Sequence, residues 1–212
     1  MNQSRLRTAL SLTAIALCLA LAIPPARAMT NQQAKQLYAQ AASGNNPAAL
    51  QSLQAAANNG DANAQFQLGF LYNSGQGVPQ DAAQAAAWYL KAADQGDANA
   101  QFNLGVLYVQ GQGVPQDYAQ AAAWFRKAAD QGVAAAQNNL GDMYRFGVSV
   151  QQDYAIAYAL FNLAAAGETK ASANRDSISQ QMSEADIESG QNLTRMMQSL
   201  GVTAAINAYA NK

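Results

Sequence analysis

The chain has 212 residues, 12 basic and 13 acidic side chains, a formal net charge of −1 and half of its residues hydrophobic. It is long enough for a substantial core and lacks the positive excess of a nucleic-acid binder. With no histidine and a single cysteine, it excludes Ser-His-Asp and Cys-His catalytic arrangements, histidine metal ligands and an intrachain disulfide framework.

Residues 1–28 read as a secretory signal peptide. Arg5 and Arg7 form a charged n-region, Ala9 to Ile23 an apolar h-region, and Ala26-Arg27-Ala28 a small-x-small cleavage site. The uncharged stretch is shorter than the roughly 20 residues a membrane span needs and is closed by Pro24-Pro25. Cys18 follows Leu17 and not the small residue that lipid attachment requires, which argues against a lipoprotein. Cleavage after Ala28 removes three arginines and no acid. The mature chain, from Met29, then carries 9 basic and 13 acidic residues, a net charge of −4, and no cysteine. The expected location is the periplasm or the extracellular fluid.

Residues 29–60 read as a helical hairpin, Thr30 to Ala42 and Pro47 to Asn58, with Asn46 as N-cap and Pro47 in the first helical position. It serves as an N-terminal cap or a degenerate repeat. Residues 61–96 and 97–132 are two copies of one 36-residue unit, identical at 29 of 36 positions, and a weaker third copy spans 133–167. Periods of this length mean stacked helical units.

Within a unit, Ala64, Leu68 and Leu71 recur at i, i+4 and i+7 and define the apolar stripe of a helix A, expected to face its own helix B. Gly75-Gln76-Gly77-Val78-Pro79 breaks that helix, and Asp81 with Gln84 restarts the chain as a capping box. Helix B carries Ala85, Trp88 and Ala92 on its stripe, which makes Trp88 and Trp124 core residues. Gly69 and Gly105 stand mid-helix at a cost of about 1 kcal/mol each, which implies close helix–helix contact. Lys91 and Lys127 precede Asp94 and Asp130 by three residues, the spacing of a helix-surface ion pair.

After Gly167, a helix to about Gln181 takes the place of a fourth helix A. Ser183 then opens a longer helix with Leu193, Met196, Met197 and Leu200 on one stripe, and Val202, Ile206 and Tyr209 mark a last short one. Residues 168–212 therefore cap the stack, with self-association through these helices as the functional alternative.

The residues Leu68-Gly69-x-x-Tyr72-x-x-Gly75-x-Gly77-Val78-x-x-Asp81, followed by Ala85, Trp88, Lys91-Ala92-Ala93 and Gly96, resemble the Sel1-like repeat, a relative of the tetratricopeptide repeat. All of them recur 36 residues later. Copy three departs at Ser149, Leu160 and Leu163, which stand for the second loop glycine, the tryptophan and the lysine. The resemblance implies an all-α, right-handed solenoid of antiparallel helix pairs. It also implies an exported protein–protein interaction scaffold, non-enzymatic and without cofactor or metal, that takes a protein or peptide partner. No nucleic acid is expected, and the membrane is met only through the cleaved leader. The alternative within the family is a cell-envelope hydrolase or penicillin-interacting protein, but such relatives carry paired cysteines in each repeat.

Other chemistries fit poorly. Asp94 and Asp97 lie close in sequence, yet a catalytic pair echoed by the repeat period would be odd, and the segment lacks the spaced acids of a calcium loop. The Gly-Gln-Gly turns have neither the preceding strand nor the Lys-Ser/Thr of a phosphate cradle. With the Leu68 stripe turned to helix B, the far side of helix A carries Asn63, Phe66, Phe70 and Asn73, then Phe102, Val106 and Val109, then Asn138, Asp142 and Arg145. The resemblance implies that this strip lines a concave binding face. The helix B positions Tyr89, Leu90, Phe125 and Arg126 are the fallback surface.

Overall fold

The computed structural model describes residues 28–211, so almost all of the expected leader lies outside the described residues. Eleven helices and no strands occur among them. They are α1 (Asn31–Ala42), α2 (Pro47–Asn58), α3 (Ala62–Ser74), α4 (Ala82–Asp94), α5 (Ala98–Gln110), α6 (Tyr118–Asp130), α7 (Ala134–Phe146), α8 (Tyr154–Ala164), α9 (Thr169–Ser179), α10 (Glu184–Leu200) and α11 (Val202–Ala210). None is long and apolar enough to cross a membrane.

The helices form because each has a start, a stripe and a stop. Asp61 and Asp97 cap α3 and α5 by accepting the Ala64 and Ala100 amides, both at 2.8 Å. Asp81, Asp117 and Asp153 do the same for α4, α6 and α8. The reciprocal half of the expected box differs. Gln84 donates to the Asp81 carboxylate at 3.0 Å, while the Asp81 amide is taken by the Tyr72 carbonyl at 2.9 Å, so the cap is tied to the end of helix A instead.

Each helix A is sandwiched between two B helices, and this corrects the expected direction of the stripe. Ala64, Leu68 and Leu71 share one buried cluster with Leu53 and Ala57 of the preceding α2, and Ala100, Leu104 and Leu107 share another with Ala85, Tyr89 and Ala92 of the preceding α4. A helix's own partner is met through its tryptophan, Trp88 packing against the first cluster and Trp124 belonging to the second, and through the glycine. A β-carbon on Gly105 would stand 2.7 Å from Phe125 of α6, and one on Gly69 or Gly141 would meet Tyr89 or Phe161 at 2.8 and 2.7 Å. The ring of each B helix fills the space that glycine leaves.

A glutamine chain threads the same interfaces. Gln65, Gln101 and Gln137 are buried and donate to the carbonyls of Ala57, Ala93 and Ala129 at 3.0, 3.1 and 3.1 Å, satisfying the ends of the preceding B helices. Gln95 and Gln131 donate in turn to the Gln65 and Gln101 side-chain oxygens at 2.6 and 2.8 Å within their own repeats, so each buried glutamine ties the end of the preceding B helix to the end of its own.

The third repeat keeps the loop despite losing its glycine. Ser149 takes φ +60°, the one non-glycine residue with positive φ among the described residues, where Gly77 and Gly113 have +70° and +71°. A side chain there costs roughly 1–2 kcal/mol, against which glycine's extra unfolded-state freedom costs 0.5–1. Ser149→Gly should therefore stabilise the chain by about 0.5–1 kcal/mol, read as a higher urea midpoint; a lower midpoint would show that the serine is held by something other than the turn.

Helix α8 explains the other departures of copy three. From Ala155 to Phe161 every residue is buried, the pattern of a helix covered on all sides. The cover is α10, whose Leu193 and Met197 are buried in the same cluster. Gly190 brings α10 in so closely that a β-carbon would meet Tyr158 at 2.7 Å. Leu160 and Leu163 replace Trp and Lys because this B helix faces protein where the earlier ones face water. Helix α11 then folds back to α6, burying Val202, Ala205 and Ile206. There the Asp130 carboxylate accepts the Thr203 amide at 2.8 Å and the Thr203 hydroxyl at 2.5 Å, capping α11 from a distant helix.

Candidate functional site

The ten residues of the expected strip do not form one open surface. Because helix A turns its glycine side to its own helix B, Phe66 stacks on Tyr89 and Phe102 on Phe125, with ring centroids 5.9 Å apart in both pairs. Phe70 meets Tyr38 of α1 edge-on at 5.5 Å and lies 6.4 Å from Phe66. Asn63 donates to the Met29 carbonyl at 2.9 Å. Asn73 is half-buried, and its carbonyl accepts from Gln80 at 2.8 Å. Asn138 is buried and accepts from Asn174 of α9 at 2.9 Å, and Arg145 donates to Ser177 of α9 at 3.3 Å. Helix α9 thus engages part of the third-copy strip. Val106 is half-buried against the third-repeat core.

Val109 and Asp142 do converge. Together with Tyr118 and Phe125 of α6, Asn139, Met143 and Phe146 of α7, and Val148 of the following loop, they line a pocket of about 250 Å³ between the second and third repeats. Its walls are mostly apolar, and its rim is marked by exposed rings, Tyr118 at 41% and Phe146 at 64%. Burial pushes the Asp142 carboxyl above its ordinary range, an effect the nearby Arg145 charge partly offsets. The guanidinium of Arg145 is turned elsewhere, over the Phe146 ring at 5.1 Å and toward Ser177. The single ion pair among the described residues joins Arg175 and Asp176, so Asp142 faces the pocket without a salt-bridge partner there.

Helix B departs from expectation in two ways. Its deepest ring is Tyr89 or Phe125, at 0% and 1% exposure, which removes both from the fallback surface; Arg126 is half-buried and donates to the Tyr144 hydroxyl at 2.9 Å, and Leu90 alone is exposed. Trp124 is buried as expected, at 7% exposure, whereas Trp88 is only half-buried. In place of the expected ion pairs, Lys91 and Lys127 lie over the Trp88 and Trp124 rings at 3.7 and 3.9 Å. A cation over a ring is worth about 0.5–1 kcal/mol at an exposed site, more than an exposed ion pair in general.

Tyr118 and Phe146 escaped the sequence reading. Their signal was there: position 118 holds alanine in copy one, and position 146 holds serine and glutamine in copies one and two. Tyr118 recurs as Tyr154 in copy three, whereas an aromatic at the position of Phe146 occurs in copy three alone.

A continuous stack of antiparallel helix pairs on a 36-residue period, with a side pocket between neighbouring pairs, is the architecture of an α-solenoid repeat protein. The Sel1 repeat model matches residues 31–46, 62–97, 98–133 and 134–168, more than half of the chain, and the chain belongs to that family. Its members are generally protein–protein interaction scaffolds and typically non-enzymatic. The match over 31–46 also makes α1 part of a repeat. A Sel1 repeat protein from Oxalobacter formigenes is 35% identical with a TM-score of 0.62, over 69% of this chain and 59% of that one, so the chain spans less than two thirds of that protein's structure. A protective antigen present in uropathogenic Escherichia coli strains, displaying the same repeat fold, is 30% identical with a TM-score of 0.49, over 77% of this chain and 43% of that one. No curated protein matches the chain.

Proposed function

We propose that the protein is an exported, non-enzymatic scaffold that captures a protein or peptide segment along its helix A row, centred on the pocket between α5, α6 and α7. The observation that supports it most is the convergence of Val109 and Asp142, from consecutive repeats, with exposed Tyr118 and Phe146 on one cavity. Exposed apolar rings around a recess are what a monomeric surface usually hides and what binding anchors use. Export is supported by the leader-like residues 1–28 and by the seat of Met29, whose amide donates to Asp61 while its carbonyl accepts from Asn63. Cleavage after Ala28 would turn that amide into an ammonium facing a carboxylate.

The binding test is selection from a displayed library of random peptides on the mature chain, followed by affinity measurement. Tyr118→Ala with Phe146→Ala should weaken the selected peptides by about 30-fold, corresponding to the roughly 2 kcal/mol of an interface hot spot. The melting temperature should hardly change, because both rings are exposed. Peptides that bind the double variant equally well, or a library that yields no binder, would sink the scaffold role at this pocket. Intact mass of the exported product, expected to begin at Met29, checks the location.

A further inference from the structure

We infer that the occupant of this pocket is a long cationic side chain, lysine or arginine, presented by the partner segment with its aliphatic stem along the apolar walls and its charge on Asp142. The inference rests on the proposed scaffold role and adds the chemistry of what is recognised. Four observations carry it. The first is size: about 250 Å³ is below the roughly 300–1,000 Å³ of small-molecule sites and suits one side chain.

The second is composition. Val109, Phe125, Met143 and Val148 supply apolar wall, and among the residues lining the cavity Asp142 alone carries a formal charge. A purely apolar occupant would bury that carboxylate against hydrocarbon, which is costly, whereas an ammonium or guanidinium would compensate it.

The third is the state of Asp142. It makes no hydrogen bond or ion pair among the described residues, while its neighbour Arg145 is engaged by Ser177 at 3.3 Å and lies over Phe146. The fold thus leaves a half-buried carboxylate without a hydrogen bond or an ion pair, while Arg145, whose charge offsets its burial only in part, is engaged elsewhere.

The fourth is placement. The equivalent positions in copies one and two are Phe70 and Val106, so the carboxylate occurs only where the cavity is. Around it, exposed Tyr118 offers a ring face to a cation entering past it, and Phe146, whose ring carries Arg145, lines the same cavity. The mature chain's net charge of −4 draws a basic segment toward the surface.

The test uses the same selected peptides and the full mature chain. Enriched sequences should share a lysine or arginine beside apolar residues. Asp142→Asn should weaken them at least tenfold, and replacing the peptide's basic residue with norleucine should weaken them by a similar factor on the wild type but little on Asp142→Asn. Asp142→Lys should reverse the preference toward peptides carrying Asp or Glu. Peptides that lose affinity with Tyr118→Ala and Phe146→Ala but show no basic residue and no response to Asp142→Asn would overturn the cationic occupant and leave the scaffold role standing. A library with no binder overturns both. n-Butylamine alone, tested as a free probe, should compete only weakly; competition at the peptides' own concentrations would assign the pocket to a small amine and overturn a protein partner. Circular dichroism on each variant checks that lost binding is not lost fold.

Discussion

Gly105→Leu lowers the stability of the protein by about 2–3 kcal/mol, which for a chain of this size is a fall of roughly 4–12 °C in melting temperature. The geometry leaves no other outcome open. Even a β-carbon at residue 105 would stand 2.7 and 2.8 Å from two carbons of the Phe125 ring, closer than non-bonded carbons come, and leucine adds three more carbons in the same direction. Phe125 is 1% exposed and part of the cluster that joins the second repeat to the third, so the ring can yield only by leaving that cluster for the pocket it lines. Either α5 separates from α6 or Phe125 leaves the core, and in a stack where each repeat relies on its neighbours the loss spreads. The specific check is a double-mutant cycle. Phe125→Ala costs about 3–5 kcal/mol alone, but combined with Gly105→Leu it should cost clearly less than the sum, because the leucine occupies the space the ring vacates. Strict additivity would show that Gly105 is not paired with Phe125.

Leu193→Ala costs about 2–5 kcal/mol, the range for truncating a buried leucine, although it lies outside the three repeats that carry the period. Leu193 is 1% exposed at the contact of α10 with α8. Helix α8 has no polar face to offer water, so it depends on α10 more than α4 or α6 depends on any outer partner. The loss should be uneven. Hydrogen exchange should speed up first in α7 to α11 and last in α3 and α4, because solenoid stability is a sum over neighbours. Uniform loosening from α1 to α11, or no loss, would mean that α10 is not a cap of the third repeat.

Much of this architecture was legible locally. The aspartate caps, the glycine-proline turns, the helix bounds within a residue or two and the close contact at Gly105 all depend on a residue and its near neighbours in the chain, and each was found where the sequence put it. The end caps followed from Ser183 and from the apolar stripes of α10 and α11. What went astray was direction. The Leu68 stripe was assigned to its own helix B, when it packs on the preceding one and meets its own only through the tryptophan, and that difference carried Phe66 and Phe102 from an expected surface into the ring-on-ring contact with Tyr89 and Phe125. A helix with two buried faces has no single apolar stripe, so a 3.6-residue period shows that it is packed without saying against what.

The site followed the same division. Val109 and Asp142 were named by helical spacing, as positions on the side of helix A away from the Leu68 stripe and at the same places in successive copies. That they share a cavity with Tyr118 and Phe146, while Asn138 and Arg145 are engaged by α9, depends on how three helices and a distant fourth approach one another. The sequence by itself determined the repeat, its helices, their caps and turns, and the absence of histidine and of any cysteine beyond Cys18, because each is a local or compositional property. The tertiary structure decided which face meets which neighbour, why copy three could lose its tryptophan and lysine, and where a carboxylate is left only partly compensated, because burial and pairing belong to groups far apart in the chain and exist only once the stack has closed around them.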